Sequence, residues 1–544
     1  MDGLMQNVPL TVDRVIDHAA AWHGGREVVS RDADGRVTRT TYAAVHADAK
    51  RVSNALAAEG IKPGDRVATM AWNGARHLAA WYGASCMGAV LHTLNPRLFM
   101  EQIVYIANHA GDRLLLADPA IADLVGQLLP QVPSIEKVVF LCDRASMPAT
   151  AYPAVAFDDW IAPYPADHAW GQFGENTACG LCYTSGTTGN PKGVLYSHRS
   201  NYIHALMTLQ RDALALSARD TVLLVVPMYH ANAWGVVFSA PIVGAKLVLP
   251  GQRMDGESIY NLIEQEGVTY SSAVPTVWQM LLQYVQENGK RFSTLQRVTI
   301  GGSACPESIV RTFRDDYGVD VIQGWGMTET SPLGTVSVPN AAVAAMDDDA
   351  QLAHKLKQGR LLFGLDMKLV DDAGNRLPHD GKTPGRLLIK GPTIASGYFG
   401  GDGGDVLDGE GFFDTGDVAT IDAQGYMQIT DRAKDVVKSG GEWISSIEIE
   451  NIAMGHPALA NAAVVGVAHP KWDERPILIC QLKPGASASA DELRGFLTGK
   501  IATWWMPDDV LFVDEIPLGP TGKIDKRAIR AGLTGYKLPF EASR

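Results

Sequence analysis

The sequence has few cysteines, and they do not form a recognisable framework. Six cysteines in 544 residues are too few for a disulfide-stabilised fold. Cys179 and Cys182 have the CxxC spacing found in redox and zinc sites, but no second CxxC or nearby histidine cluster completes a metal site. Both fall in an apolar run, so we expect two small, buried residues of a strand.

The sequence also lacks the segments that direct a chain to or through a membrane. No apolar stretch approaches the ~20 residues that a membrane-spanning helix needs, and Met1–Leu4 does not begin a signal peptide. We therefore expect a cytoplasmic protein with no integral membrane segment. The net charge of −13 disfavours a broad nucleic-acid surface, so we expect no nucleic-acid partner.

The remaining composition is that of a globular enzyme, with 46% hydrophobic and 20% charged residues. A chain of this length exceeds one hydrophobic core. Strand-like and helix-like runs alternate along most of it, which predicts an α/β fold. Residues 1 to about 60 are predicted to form a helix, a hairpin and a second helix, which Thr40-Thr41-Tyr42 could cap and which would run through Leu56. A helix is also predicted for about 490–502. We predict a large multi-sheet N-terminal domain (residues 1–430), a hinge (431–436) where charge interrupts the pattern, and a small α+β C-terminal domain (437–544).

The most informative stretch is rich in glycine, threonine and serine and ends in a lysine. It reads Tyr183-Thr184-Ser185-Gly186-Thr187-Thr188-Gly189-Asn190-Pro191-Lys192-Gly193. Glycine lets backbone N–H groups turn toward an anion, and the hydroxyls and Lys192 add donors and positive charge. Pro191 and Gly193 flank the lysine, unlike a Walker A loop, and Val194–Tyr196 favours a strand. We predict a phosphate-binding loop between two strands; a glycine-rich hairpin turn is the alternative.

Three further stretches carry groups suited to a nucleotide. Gly324 and Gly326 flank Trp325 just after a strand predicted to end at Gln323, which would leave both faces of the ring open. Thr328 and Glu329 follow and can coordinate a hard cation such as Mg²⁺. A buried tryptophan in a turn is the alternative interpretation.

The second and third stretches are a glycine pair and a pair of opposite charges. Gly301 and Gly302 follow a strand and permit close approach of a ligand. Asp417 could bind ribose hydroxyls, and Arg432 could hold ribose or phosphate oxygens. Either feature alone is common in turns.

Together these stretches closely resemble the motifs of the acyl-adenylate-forming superfamily, in family order from about residue 15 to 535. Within it, His230–Trp234 and Gly440–Ser445 are most similar to medium- and long-chain fatty acyl-CoA synthetases, a group that includes 3-methylmercaptopropionate-CoA ligases. Trp325 replaces the commoner tyrosine, keeping the stacking face without the hydroxyl. Ala231 stands where relatives that activate amino acids have aspartate, which argues against such a substrate.

The resemblance implies an ATP-dependent acid–thiol ligase that uses Mg²⁺ and coenzyme A and proceeds through an acyl-AMP intermediate. It implies that the C-terminal domain is mobile, that Lys523 and Glu329 are catalytic, and that Lys434 is the hinge residue. Nucleotide or CoA contacts are implied for Thr184, Ser185, Gly186, Thr187, Thr188, Gly189, Lys192, Gly302, Ser303, Ala304, Gly324, Trp325, Gly326, Met327, Thr328, Asp417, Arg432, Lys438, Gly440, Gly441, Glu442 and Trp443. Substrate contacts are implied for His230, Trp234, Gly301, Gly302, Met327 and Pro332, and metal contacts for Thr184 and Glu329.

Several alternatives stay open at this point. His230 and Trp234 could be ordinary structural residues, and Lys523 could be a solvated lysine on a glycine turn. Within the superfamily, a ligase for aryl or arylpropenoic acids is the main alternative, and a luciferase-like oxygenase is another. A non-catalytic nucleotide-binding protein is disfavoured because Lys523, Glu329 and Asp417 are all present. The resemblance also implies a homodimer as one expected state.

Overall fold

A computed structural model describes residues 1, 3–184, 190–432, 435–439, 442–519 and 524–539, with only the backbone described for Glu442 and Trp443. The strands are β1 (Glu27–Arg31), β2 (Val37–Thr41), β3 (Arg66–Met70), β4 (Val90–Thr93), β5 (Asp112–Ala117), β6 (Lys137–Phe140), β7 (Val155–Ala156), β8 (Ala178–Tyr183), β9 (Gly193–Ser197), β10 (Thr221–Leu223), β11 (Lys246–Leu249), β12 (Tyr270–Ala273), β13 (Arg297–Ile300), β14 (Asp320–Gly326), β15 (Leu333–Val336), β16 (Arg360–Leu361), β17 (Asp366–Val370), β18 (Gly385–Lys390), β19 (Phe413–Ile421), β20 (Met427–Arg432), β21 (Val437–Ser439), β22 (Glu442–Ile444), β23 (Leu459–His469), β24 (Asp473–Leu482) and β25 (Asp509–Val513). The helices are α1 (Asp13–Trp22), α2 (Tyr42–Ala58), α3 (Ala75–Cys86), α4 (Met100–Ala110), α5 (Ala122–Leu128), α6 (Phe157–Ile161), α7 (His198–Thr208), α8 (Ala231–Trp234), α9 (Val236–Val243), α10 (Gly256–Glu266), α11 (Pro275–Glu287), α12 (Glu307–Arg311), α13 (Ala341–Ala344), α14 (Asp348–Lys355), α15 (Ser446–Ala453), α16 (Ala490–Leu497) and α17 (Lys526–Gly532).

The first sixty residues form a helix, a hairpin and a second helix, as their pattern predicts. Strands β1 and β2 pair antiparallel, with Val29 opposite Arg39. Helix α2 begins where Thr41 Oγ1 accepts a hydrogen bond from the backbone N–H of Ala44 at 3.3 Å. A side-chain acceptor at this position satisfies one of the free N–H groups of the first turn. The helix continues past the predicted end at Leu56 to Ala58.

Two large sheets repeat one strand order. In the seven-stranded sheet the order is β7-β6-β5-β3-β4, extended by the hairpin β8-β9. In the nine-stranded sheet it is β14-β13-β12-β10-β11, extended by the hairpin β1-β2 at one end and by β15-β16 at the other. The five-strand units are parallel throughout. In such sheets, ligands bind beyond the carboxyl ends of the strands, near the point where the strand order reverses.

A cavity lies at that edge of each large sheet. The cavity of the nine-stranded sheet has a volume of about 220 Å³, and that of the seven-stranded sheet about 900 Å³. Each cavity is completed by the hairpin that extends the other sheet: Tyr183 and Thr184 line the smaller one, and Ser30 and Arg31 line the larger one.

Two smaller sheets complete the fold. Strands β17–β20 form an antiparallel four-stranded sheet. Strands β21–β25 form the C-terminal sheet, in which β24 and β25 are parallel and the other pairs antiparallel. The α/β class and the separate α+β C-terminal region are therefore confirmed. The helix predicted for residues 490–502 ends earlier, at Leu497, and β14 extends beyond Gln323 to Gly326.

The core joins the two large sheets through aromatic side chains. Trp81 on α3 packs edge-on against Phe238 on α9, with ring centroids 4.7 Å apart. Cys179 and Cys182 are free and buried on β8, so their interpretation as small core residues is confirmed. Among the described residues, no helix combines the length and the apolar character needed to cross a membrane.

The end of β20 is tied into the C-terminal region by buried charges. Asp431, 1% exposed, accepts a hydrogen bond from the N–H of Ser446 at 2.8 Å. Lys526 on α17 lies 2.7 Å from Glu450 on α15 and also contacts the hydroxyl of Ser446. The division at residues 431–436 stays a prediction.

Candidate functional site

The stems of the predicted phosphate loop are two antiparallel strands, as expected. Tyr183 at the end of β8 pairs with Gly193 at the start of β9. The N–H of Thr184 donates to the carbonyl of Lys192 at 2.9 Å, and the N–H of Lys192 donates to Thr184 Oγ1 at 3.2 Å. These bonds close the base of the loop. Ser185, Gly186, Thr187, Thr188 and Gly189 lie outside the described residues.

The segment 398–402 packs against both stems. Tyr183 Oη lies 2.6 Å from Nδ1 of His109, whose other ring nitrogen is 3.6 Å from Asp402. On the other stem, a side chain at Gly193 would come within 3.0 Å of Cβ of Phe399. The base of the loop is thus held from outside by a segment far away in the sequence.

The predicted nucleotide motif begins on β14, and its tryptophan is less open than expected. Trp325 is 7% exposed, and a side chain at Gly334 on the neighbouring strand β15 would lie 2.7 Å from its ring. The expectation that both faces stay open is therefore wrong, because β14 continues through the motif and pairs with β15. The ring still lines the smaller cavity.

Trp325 is joined to the predicted ribose site by a direct hydrogen bond. Its indole N–H donates to Oδ2 of Asp417 at 2.9 Å, and Nε of Arg432 lies 2.8 Å from Oδ1 of the same carboxylate. Asp417 and Arg432 are opposite each other on β19 and β20. The structure thus brings Trp325 to a pair of residues that lies about a hundred positions later in the sequence, and the indole provides a donor although the commoner tyrosine hydroxyl is missing.

Glu329, the predicted metal ligand, is buried in a turn next to β14. It is 5% exposed, and Tyr398 Oη donates a hydrogen bond to its Oε1 at 2.6 Å. Burial raises the pKa of Glu329, while the hydrogen bond from Tyr398 acts in the opposite direction. The sequence did not predict a role for Tyr398. The available signal was its position directly before residues 399–411, a stretch rich in glycine and aspartate.

The groups near Glu329 fit a magnesium ion shared with phosphates better than a protein cage. In the part of the chain that the structure describes, no cluster of three or more His, Cys, Asp or Glu side chains could hold a metal ion. Mg²⁺ is commonly bound by one or two carboxylates together with substrate phosphate oxygens. Glu329 provides one carboxylate, and its neighbour Thr328 and the loop residue Thr184, which both line the smaller cavity, provide hard oxygen donors.

The smaller cavity has a polar end and an apolar end. Polar groups of Tyr183, Thr184 and Thr328 lie toward the phosphate loop and the nucleotide motif. The apolar end is formed by Val225, Met254, Val274 and Val277. Among the predicted substrate residues, His230, Trp234, Gly301, Gly302, Met327 and Pro332 all line this cavity.

A left-handed turn carries Trp234 into the cavity. Ala231, Asn232, Ala233, Trp234 and Gly235 have φ between 41° and 76°. Left-handed conformations cost about 1–2 kcal/mol for each residue other than glycine, so tertiary contacts must impose this turn. One of them is the hydrogen bond from Trp81 Nε1 to Asn232 Oδ1, which is buried and 3.0 Å long.

The turn places the Trp234 ring against Gly301. A side chain at 301 would lie 3.2 Å from the indole, so the glycine makes room for the ring. His230, just before the turn, packs edge-on against Tyr229 with ring centroids 4.8 Å apart. Backbone geometry of this kind is typical of functional sites, and nothing in the local sequence predicts it.

Of the remaining predicted site residues, some are described by the structure but lie outside the smaller cavity, and the others are not described. Ser303 is exposed and Ala304 is half-buried, and neither lines the cavity. Lys438 is exposed on β21, where it pairs with Trp443 of β22. Lys434, Gly440, Gly441 and Lys523 lie outside the described residues.

Comparison with known proteins gives matches over nearly the whole chain. The AMP-binding enzyme family model matches residues 16–399, and the AMP-binding enzyme C-terminal domain model matches residues 448–523. The chain is 49% identical to a 3-methylmercaptopropionyl-CoA ligase of Ruegeria lacuscaerulensis, covering 97% of this chain and 98% of the relative. It is 46% identical to a medium-chain-fatty-acid–CoA ligase of Ectopseudomonas oleovorans, covering 97% of each. The crystal structure of ATP-bound MatB from Rhodopseudomonas palustris superposes with a TM-score of 0.82 at 24% identity, over 97% of this chain and 100% of that one, which supports the fold.

Proposed function

The chain belongs to the AMP-binding enzyme family and is an acid–CoA ligase, and on that premise we propose that it activates medium-length apolar carboxylic acids with ATP. The two acids that its relatives suggest are 3-methylmercaptopropionate and a medium-chain fatty acid. The acid would form an acyl-AMP intermediate with release of pyrophosphate and would then pass to the thiol of coenzyme A.

The observation that carries this proposal is the smaller cavity itself. It joins the stem of the phosphate loop at Thr184 and the nucleotide motif at Trp325 to an apolar end at Val277. A carboxylate lying at the polar end with its chain at the apolar end would meet the α-phosphate there. Such placement converts a reaction between two molecules into one within a single complex.

The size of the cavity favours a short or medium acid. Its volume of about 220 Å³ is below the ~300–1,000 Å³ typical of sites for drug-sized ligands. The Trp234 ring, held against Gly301, restricts it further. A long fatty acid or a rigid arylpropenoic acid would require this ring to move.

For the first half-reaction, the chain's own residues provide donors and positive charge. Lys192 and Thr184 would hold the departing phosphates, and Asp417 with Arg432 would hold the ribose. Glu329 and Thr184 would hold Mg²⁺, which when bound offsets phosphate charge. Lys523 would orient the carboxylate and stabilise charge that develops at the transferring centre.

For the second half-reaction, the C-terminal domain would rotate about Lys434. This rotation would withdraw Lys523 and bring Gly440–Trp443 to the thiol of coenzyme A. One cavity would then serve both half-reactions, and the C-terminal domain would have to move because each half-reaction needs a different part of it at that cavity.

A panel of carboxylic acids tests the substrate. Butyrate, octanoate, palmitate, 3-methylmercaptopropionate and cinnamate are each supplied with ATP and coenzyme A, and AMP formation is measured. We expect the highest kcat/KM for octanoate or 3-methylmercaptopropionate. A highest value for palmitate or cinnamate would show that the cavity does not set the choice of acid.

A lysine variant tests the division of roles between the two half-reactions. We expect Lys523→Ala to abolish pyrophosphate release but to spare thioester formation from supplied acyl-AMP. Lys382→Ala, at an exposed lysine, is the control and should change neither. Equal loss of both half-reactions in Lys523→Ala would contradict the assignment.

A further inference from the structure

We propose that Tyr398 is a positioning residue of the adenylation site, which fixes the carboxylate of Glu329 and supports the ammonium of Lys192. The metal-binding carboxylate and the lysine of the phosphate loop would then be held in one arrangement before a nucleotide binds. This inference rests on the proposed function, because it assigns Tyr398 a task in binding ATP with its cation.

The first contact is the hydrogen bond to the carboxylate. Tyr398 Oη donates to Oε1 of Glu329 at 2.6 Å. The backbone on either side is also joined, since the N–H of Ala395 donates to the carbonyl of Glu329 at 2.8 Å. A buried carboxylate with a fixed donor has one preferred orientation.

The second contact places a cation over the same ring. Nζ of Lys192 lies 4.9 Å from the centroid of the Tyr398 ring, within the range of a cation–π contact. The ammonium also packs against Gly403, where an added side chain would come within 2.8 Å of Nζ. The lysine is therefore placed by the same segment that orients Glu329.

The ring itself is held by the stems of the phosphate loop. Tyr398 packs against the buried cluster of Cys182, Val194 and Tyr196 on β8 and β9, and edge-on against Phe413 with centroids 6.3 Å apart. Glu329 follows β14 of the nine-stranded sheet, and Lys192 precedes β9 of the seven-stranded sheet. Tyr398 comes from neither sheet and touches both groups.

Partners of this kind have measurable effects on metal binding. Changing a residue that orients a metal-binding side chain typically reduces metal affinity ten- to a hundredfold. Loss of the hydroxyl would leave the buried Oε1 of Glu329 without this donor, and a buried acceptor that loses its partner is costly. The effect should fall on cation-dependent binding and not on nucleotide binding in general.

The test measures binding of α,β-methylene-ATP by calorimetry, once with Mg²⁺ and once with excess EDTA. For the unchanged protein we expect Mg²⁺ to tighten binding at least tenfold. In Tyr398→Phe, which keeps the ring beneath Lys192, this gain should fall by roughly ten- to a hundredfold or disappear, while the Kd in EDTA stays within about twofold. Tyr152→Phe is the matched control, because it also removes a hydrogen-bonding hydroxyl but lies away from the site. The Tyr152 hydroxyl donates to the carbonyl of Ala122 at 2.7 Å.

Two further variants separate positioning from general damage. In a Glu329→Gln background the metal-binding carboxylate is gone, so Tyr398→Phe should cause no further loss of the Mg²⁺-dependent gain. Tyr398→Leu removes the ring as well, and it should weaken binding in EDTA where Tyr398→Phe does not. Thermal unfolding of each variant, compared with that of Tyr152→Phe, identifies any that fails to fold.

Distinct results overturn distinct claims. A Tyr398→Phe protein with an undiminished Mg²⁺-dependent gain would refute the role of Tyr398, as would an equal loss in the Glu329→Gln background. The role of Tyr398 would also be refuted if Mg²⁺ did not tighten nucleotide binding to the unchanged protein. Failure of the unchanged protein to bind the nucleotide at all would instead refute the proposed function.

Discussion

Removing the ammonium of Lys526 should destabilise the C-terminal domain. Lys526 joins Glu450, 2.7 Å away, and also attracts Asp431 at the end of β20. Burial alone lowers the pKa of Lys526, but the attraction of these two carboxylates outweighs it and raises the pKa. Burial also raises the pKa of Asp431 and of Glu450, and Lys526 acts against both shifts. One lysine therefore makes two buried carboxylates tolerable.

The expected cost of Lys526→Met follows from this burial. The side chains of Lys526 and Glu450 are 12% and 13% exposed, and Asp431 is 1% exposed. An exposed ion pair is worth about 0–1 kcal/mol, whereas removing one partner of a buried pair costs about 3–5 kcal/mol. We expect a loss of ~4 kcal/mol in the local unfolding free energy, which corresponds to a roughly thousandfold larger equilibrium constant for opening.

Hydrogen exchange followed by mass spectrometry measures this loss where it occurs. Amides of β23 and β24 should exchange faster in Lys526→Met, because β24 pairs with β21, β23 and β25 and β23 pairs with β24 along its length. Lys483→Met, at an exposed lysine in the same domain, is the control and should change stability by less than ~0.5 kcal/mol. Adding Glu450→Gln to Lys526→Met should recover part of the loss, since one uncompensated charge is then removed. Unchanged protection in Lys526→Met would refute the reasoning.

Three other changes probe single contacts. His204 is buried and accepts a hydrogen bond from the N–H of Leu333 at 2.9 Å, and burial lowers its pKa to about 3. Below pH ~6.5 this histidine therefore takes up a proton in the unfolded chain but not in the folded one. The stability that it confers is consequently lost as the pH falls. The stability deficit of His204→Gln relative to the unchanged protein, measured by urea unfolding, should therefore shrink by about 2 kcal/mol between pH 7.5 and pH 5, and a deficit that is constant with pH would contradict the burial argument. Asp417→Asn weakens its contacts to Trp325 and Arg432, so KM for ATP should rise about tenfold or more; Asp414→Asn on the same strand is the control, and equal effects of the two would argue against a ribose site. Trp234→Ala should raise the ratio of kcat/KM for palmitate over octanoate by about tenfold or more, and an unchanged ratio would show that the indole does not limit chain length.

Local patterns predicted the elements that local chemistry determines. Thr41 caps α2 because a side-chain acceptor is needed at a helix start, and the stems of the phosphate loop are strands as Val194–Tyr196 indicates. The alternation of strands and helices along the chain is sufficient to predict the α/β class. These features depend on neighbours within a few residues, which a sequence displays directly.

The features that the sequence did not predict depend on distant contacts. Tyr398 acquires its importance only because the fold places it between Glu329 and Lys192. The left-handed turn at Ala231–Trp234 contains no glycine, and the hydrogen bond from Trp81 helps to impose it. Asp431 was interpreted as part of a charged hinge, yet it is buried against the C-terminal region. The roles of Lys434 and Lys523 stay predictions.

The two large sheets share one strand order, and the hairpin that extends each sheet completes the cavity of the other. In the crevice of the nine-stranded sheet the visiting hairpin contributes Tyr183 and Thr184. In its counterpart, the visiting hairpin brings Asp32-Ala33-Asp34-Gly35-Arg36, and the five arginines that line the wall face an equal number of aspartates. Opposite charges in equal number cancel at a distance, so a triphosphate would gain no net attraction there. The same scaffold thus occurs twice, and the two copies differ in the side chains that their visiting hairpins contribute.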